Sequence, residues 1–81
     1  MLIQVKLFAV AKQAAGADSI GLEVADGATV ADVREALVAA LPDLSAVRKH
    51  LLFAVDTEYA GDTKVVRPDS EVACIPPVSG G

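Results

Sequence analysis

Eighty-one residues make one small domain, which buries only about 60–65% of its unfolded surface; a 53% hydrophobic content and a mean hydropathy of +0.47 still supply material for a core. A formal net charge of −4, from 11 acidic and 7 basic side chains, argues against a nucleic-acid backbone or an anionic membrane surface as partner and favours a basic protein. Aromatic residues are too scarce, at 4%, for base-stacking platforms, and a single cysteine excludes an intramolecular disulfide and fits a reducing, cytoplasmic setting.

Met1-Leu2-Ile3-Gln4 opens straight into a strand pattern, without the basic and apolar regions of a secretory signal. No apolar run approaches the ~20 residues of a bilayer span. From Leu2 to Phe8, Ile3, Val5 and Leu7 point one way and Gln4, Lys6 and Phe8 the other. Ala9 to Ala15 is alanine-rich and predicts a short helix closed by Gly16. Ser19 to Val24 reads as a second strand, and Asp26-Gly27 as a turn. Thr29 is placed to cap a helix, with Asp32 in the capping-box position. Val30, Val33, Leu37 and Leu41 then recur at helical spacing, which predicts an amphipathic helix over residues 30–41 stopped by Pro42-Asp43. Leu44 to His50 suits a short helical turn. The continuous apolar run Leu51 to Val55 predicts a buried strand. Asp56 to Gly61 has turn character with room for a short strand, Arg67-Pro68-Asp69-Ser70 is a further turn, and Glu71 to Ile75 is the last strand. This order is α+β: one main helix packed on a mixed sheet, a β-grasp in residues 1–75, followed by an extended tail in residues 76–81.

The body offers little conventional chemistry. His50 stands beside Arg48 and Lys49, a composition that suits a helix C-terminus. Cys74 alternates with Val72 inside a strand, where cysteine behaves as a small apolar core residue. One Cys, one His and scattered carboxylates do not supply a metal site. No glycine-rich phosphate loop follows a strand.

The tail is different. Pro76-Pro77 forces an extended exit from the last strand. Val78 remains able to touch a partner's surface, and Ser79 has little to pack. Gly80 and Gly81, without Cβ atoms, suit threading into a narrow channel. The terminal carboxylate, with a pKa of about 3.5, is ionised at neutral pH and is a poor acyl donor. Adenylation would supply a leaving group, and sulfide would then convert the acyl adenylate to a thiocarboxylate.

The ending Val72-Ala73-Cys74-Ile75-Pro76-Pro77-Val78-Ser79-Gly80-Gly81 resembles that of the MoaD family, the small sulfur-carrying subunits of molybdopterin synthases. The resemblance extends to the opening strand into Phe8-Ala9, the central helix and the turn from Asp69 to Val72. It implies a ubiquitin-like β-grasp with a C-terminal Gly-Gly tail. It also implies that Gly81 is adenylated and thiocarboxylated by an E1-like, MoeB-like enzyme that consumes ATP, with no cofactor bound by the carrier. The carrier then docks into a MoaE-like large subunit, which supplies the catalytic side chains, and gives its sulfur to a cyclic pyranopterin precursor to build the molybdopterin dithiolene. The implied assembly is a heterotetramer. Phe8, Lys12 and Ile75 fall at contact positions of the family, with Lys12-Gln13 standing where Arg-Glu is frequent. Phe8 is open to two readings, an exposed contact or a second-face core residue. Two other functions compete: a ubiquitin-like protein modifier, and a carrier for another sulfur pathway such as thiamine biosynthesis.

Overall fold

The computed structural model describes residues 1–77. The elements run β1 (Leu2–Leu7), α1 (Ala9–Ala15), β2 (Ser19–Glu23), α2 (Val30–Ala40), a 3-10 segment (Pro42–His50), β3 (Leu52–Val55), β4 (Glu58–Ala60) and β5 (Val72–Ile75). The strands form one sheet in the order β2-β1-β5-β3-β4. The first and last strands lie side by side and parallel at its centre, with Val5 opposite Val72 and Leu7 opposite Cys74. All other pairings are antiparallel.

Strand periodicity decides which face is covered. Ile3, Val5 and Leu7 of β1, Leu22 of β2, Phe53 and Val55 of β3, and Val72 and Cys74 of β5 are buried. They meet Val30, Val33 and Leu37 of α2 and Leu44 of the 3-10 segment in one core. Each fully buried aliphatic or aromatic side chain contributes roughly 1.5–3 kcal/mol of transfer free energy, so one helix against one sheet face suffices for a domain of this size.

The local signals act as expected at α2. The Thr29 N–H donates to Asp32 Oδ2 at 2.9 Å while the Asp32 N–H donates to the Thr29 side chain, the two halves of the capping box, and the Thr29 hydroxyl also donates to Asp32 Oδ2 at 3.2 Å. This reciprocal pairing satisfies donors that the first helical turn would otherwise leave open. Gly16 ends α1 at φ +68°, its N–H bonded to the Lys12 carbonyl at 2.9 Å. That left-handed position favours glycine.

Three expectations need correction. Pro42 does more than stop α2: it opens the 3-10 segment, where its missing N–H costs nothing. The run Leu51 to Val55 is covered on one face only. Leu51, Phe53 and Val55 are buried, whereas Leu52 is 53% exposed. Residues 58–60, read chiefly as turn, form β4. The turn itself contracts to Asp56-Thr57, both at positive φ (53° and 72°), as a two-residue hairpin connection demands. Asp56 is held there by β5: its N–H donates to the Glu71 carbonyl at 2.8 Å, and its carboxylate accepts the Glu71 N–H at 2.9 Å.

Candidate functional site

The face of the sheet opposite α2 has no element packed on it among the described residues. Register places Lys6 beside Ala73, Ala73 beside Ala54, Ala54 beside Tyr59, and Leu52 beside Ile75. Paired residues in a ladder share a face. The centre of this surface is therefore shallow, because two alanines lie side by side. Larger apolar groups rim it: Leu52, Ile75, Tyr59 (71% exposed) and Phe8 (42% exposed).

Phe8 is the extended residue between β1 and α1, and its parity follows Lys6. The Lys6 ammonium lies 5.8 Å from the centre of its ring. Of the two readings left open by the sequence, the geometry selects the exposed one. Ile75 is half-buried and Lys12 is exposed. Lys12 Nζ lies 2.8 Å from Asp18, and the hydrogen bond and charge of Asp18 raise the lysine's pKa while the lysine lowers that of Asp18. Lys12 is thus held in an exposed ion pair on α1, the helix that follows Phe8.

Ile75 closes β5; Pro76 is buried and Pro77 is exposed. Pro76 thus still packs on the body, and Pro77 is the first exposed residue after β5. Val78, Ser79, Gly80 and Gly81 lie outside the described residues. The structure brings Phe8, Ile75 and the Pro76-Pro77 root to one side of the sheet, because β1 and β5 run parallel and end together.

Cys74 is fully buried opposite Leu7. Burial pushes its thiol up to about 11, opposed in part by the nearby charge of Arg34. Such a thiol is packed as core and is a poor nucleophile. His50 ends the 3-10 segment, exposed, beside Arg48 and Lys49. Among the described residues, no three His, Cys, Asp or Glu side chains converge on a metal-sized site. Among the described residues no helix is long and apolar enough to cross a membrane.

Leu52 and Tyr59 belong to the surface and were not singled out from sequence. For Leu52 a signal existed: counting by twos from Phe53 and Val55 leaves it on the opposite face. For Tyr59 only the register with Ala54 reveals its place.

A mixed five-stranded sheet holding one main helix, with its central last strand running out through a Pro-Pro root, defines a ubiquitin-like β-grasp protein. The chain belongs to the ThiS family, whose model matches residues 5–81. It is 39% identical over 83 residues to the molybdopterin synthase sulfur carrier subunit of Chlamydomonas reinhardtii, with 100% of each chain covered. To the protein of the same name from Arabidopsis thaliana it is 37% identical over 79 residues, covering 98% of this chain and 82% of the relative. Among solved structures it is similar to small archaeal modifier protein 1 of Haloferax volcanii, at a TM-score of 0.84 and 34% identity with 100% of both chains covered. The Methanosarcina acetivorans protein of that name gives a TM-score of 0.76 at 26% identity, covering 99% of this chain and 96% of the other.

Proposed function

We propose that this chain is the sulfur carrier subunit of a molybdopterin synthase, with Gly81 as the residue that carries the sulfur. The observation that supports it best is full-length similarity, at 39% identity, to a protein of that name. The Pro76-Pro77-Val78-Ser79-Gly80-Gly81 ending agrees with it.

The chemistry follows from the terminal carboxylate. An oxygen of the Gly81 carboxylate attacks the α-phosphorus of ATP in the E1-like enzyme, and pyrophosphate leaves. Sulfide then adds to the acyl carbon and AMP leaves, giving a thiocarboxylate and releasing a proton. In the large subunit the thiocarboxylate sulfur attacks a side-chain carbon of the pyranopterin precursor and expels an oxygen substituent from it, forming a thioester link; water then attacks the acyl carbon, the acyl C–S bond breaks, the sulfur stays on the pterin and the Gly81 carboxylate is restored. The carrier binds no cofactor in this scheme and contributes no catalytic side chain; the large subunit supplies those. With Pro76 buried, five residues remain to reach that site, about 17 Å fully extended. Phe8, Leu52, Ile75 and Tyr59 form the docking surface around the root, and Lys12 adds a polar contact at its edge. Apolar anchors ringed by polar groups are the composition of a protein–protein hot spot. Two carriers on a large-subunit dimer give the heterotetramer, working in the cytoplasm.

The test is dithiolene formation by purified large subunit with thiocarboxylated carrier. The full chain supports product formation, and a chain lacking Gly81 does not. Product formed with the shortened chain would refute the assignment.

Similarity to the small archaeal modifier proteins favours a second reading. A lysine amine of a target protein would attack the Gly81 adenylate and release AMP, leaving an isopeptide bond. Covalent ladders that survive reductant and hydroxylamine would identify that activity.

A further inference from the structure

A cleft of about 480 Å³ lies between α2, the end of the 3-10 segment and the β3–β4 hairpin. Arg34, Arg48 and Lys49 line it, against the carboxylates of Glu35 and Asp62. Three of the chain's seven basic residues thus meet in one place on a protein with 11 acidic ones.

The cleft holds more donors than acceptors. Arg34 Nη1 donates to Asp62 at 2.5 Å and Nη2 to the Leu51 carbonyl at 3.2 Å. Its Nε is buried with no acceptor among the described residues, an uncommon state for a charged group. Arg48 pairs with Glu35 at the exposed rim. Lys49 is exposed and makes no ion pair among the described residues. Leu52 lines the same cleft and sits opposite Ile75, the residue before the Pro76-Pro77 root.

We propose that the cleft seats an acidic segment of the protein that receives the tail. This seat rests on the carrier function proposed above. The net charge of −4 favours a basic partner as a whole, whereas this cleft carries one positive charge in excess, that of Lys49, with Arg34 and Arg48 paired to Asp62 and Glu35. Exposed rim charges of this kind act chiefly on the rate and register of encounter. The cleft therefore orients the partner so that the tail enters its channel.

The experiment measures association of the full chain with the purified large synthase subunit by stopped flow, at low and high salt. The cleft variant carries Arg48→Glu and Lys49→Glu together. A control carries Lys64→Glu and Arg67→Glu, the same change in charge outside the cleft. The cleft variant should associate about tenfold or more slowly at low salt, with the gap closing at high salt and the dissociation rate little changed. The control should stay within about twofold of the parent chain. Equal rates for the two variants would overturn the proposal. An octaglutamate peptide titrated into the isotopically labelled chain gives an independent reading. Amide shifts centred on Arg48, Lys49 and Leu52 support the seat, and shifts centred on Lys64 and Arg67, or none, refute it. Failure of the carrier function itself looks different: the parent chain would neither bind the large subunit nor take sulfur at Gly81, while the peptide would still report on the cleft.

Discussion

Leu52 of β3 lies directly opposite Ile75 of β5, and Ile75 precedes the two prolines from which the tail leaves the body. The open apolar surface is thus continuous with the Pro76-Pro77 root, which is where the proposed function needs a docking face. Leu52 is 53% exposed, so replacing it disturbs little of the core. Leu52→Asp should weaken binding to the large subunit by about tenfold or more, with a melting temperature within a few degrees of the parent. Isothermal titration and a thermal melt check both. Unchanged affinity would remove Leu52 from the interface.

Cys74 supplies a pH prediction. Its folded-state pKa, about 11, stands above that of an exposed thiol because burial disfavours the thiolate. A raised value means that the native state holds the proton longer than the unfolded chain does. The stabilisation is complete below about pH 9 and is lost as pH rises through about 11. The loss amounts to about 2–3 kcal/mol at most. Urea melts between pH 8 and 11 should show the decline, and Cys74→Ala should flatten it. The native thiol should also resist alkylation at pH 8, where only about 0.1% is thiolate, and react fully in denaturant. A labelled sulfur at Gly81 would then be the chain's one readily modified sulfur.

Thr57 is a β-branched residue at φ 72°. Its hydroxyl donates to the Asp56 carbonyl at 2.5 Å, a local bond that any polar side chain here could replace with water. Thr57→Gly relieves the crowding of a branched Cβ in the left-handed region at some cost in unfolded-chain entropy. The net expectation is a gain of about 0.5–1 kcal/mol, read as a higher urea midpoint at unchanged slope. A lower midpoint would mean that the turn carries no strain.

Arg34 ties α2 to the hairpin through Asp62 and the Leu51 carbonyl, its guanidinium 5.3 Å from the centre of the Phe53 ring. Arg34→Ala removes the charge-assisted bonds and the covering stem together. A loss of about 2–3 kcal/mol is expected. Arg34→Lys should recover less than half of it, since an ammonium cannot reproduce the planar fork. Full recovery by lysine would contradict the role assigned to the guanidinium.

Much of the fold was legible in local patterns. Ile3, Val5 and Leu7 declared the buried face of β1, and Thr29 with Asp32 marked where α2 begins. Both signals arise from interactions within a few residues. Leu52 was misread because five consecutive apolar residues erase the alternation that separates faces. β4 was underread because three residues beside a two-residue turn leave little periodicity to detect. Arg34 was invisible, since its partners lie 17 and 28 positions away in sequence. The role proposed for the tail rests on a different kind of signal, the residue types of positions 76–81 alone, of which 78–81 lie outside the described residues. Phe8 needed the backbone, because only the strand-to-helix turn settles whether its ring faces solvent.

The most direct test of the carrier function is the intact mass of the chain after incubation with the E1-like enzyme, ATP and sulfide. The predicted result is a gain equal to the exchange of one oxygen for sulfur, located in the fragment ending at Gly81 and absent without ATP. An unchanged mass, with an E1-like enzyme shown to be active on another carrier, would contradict it.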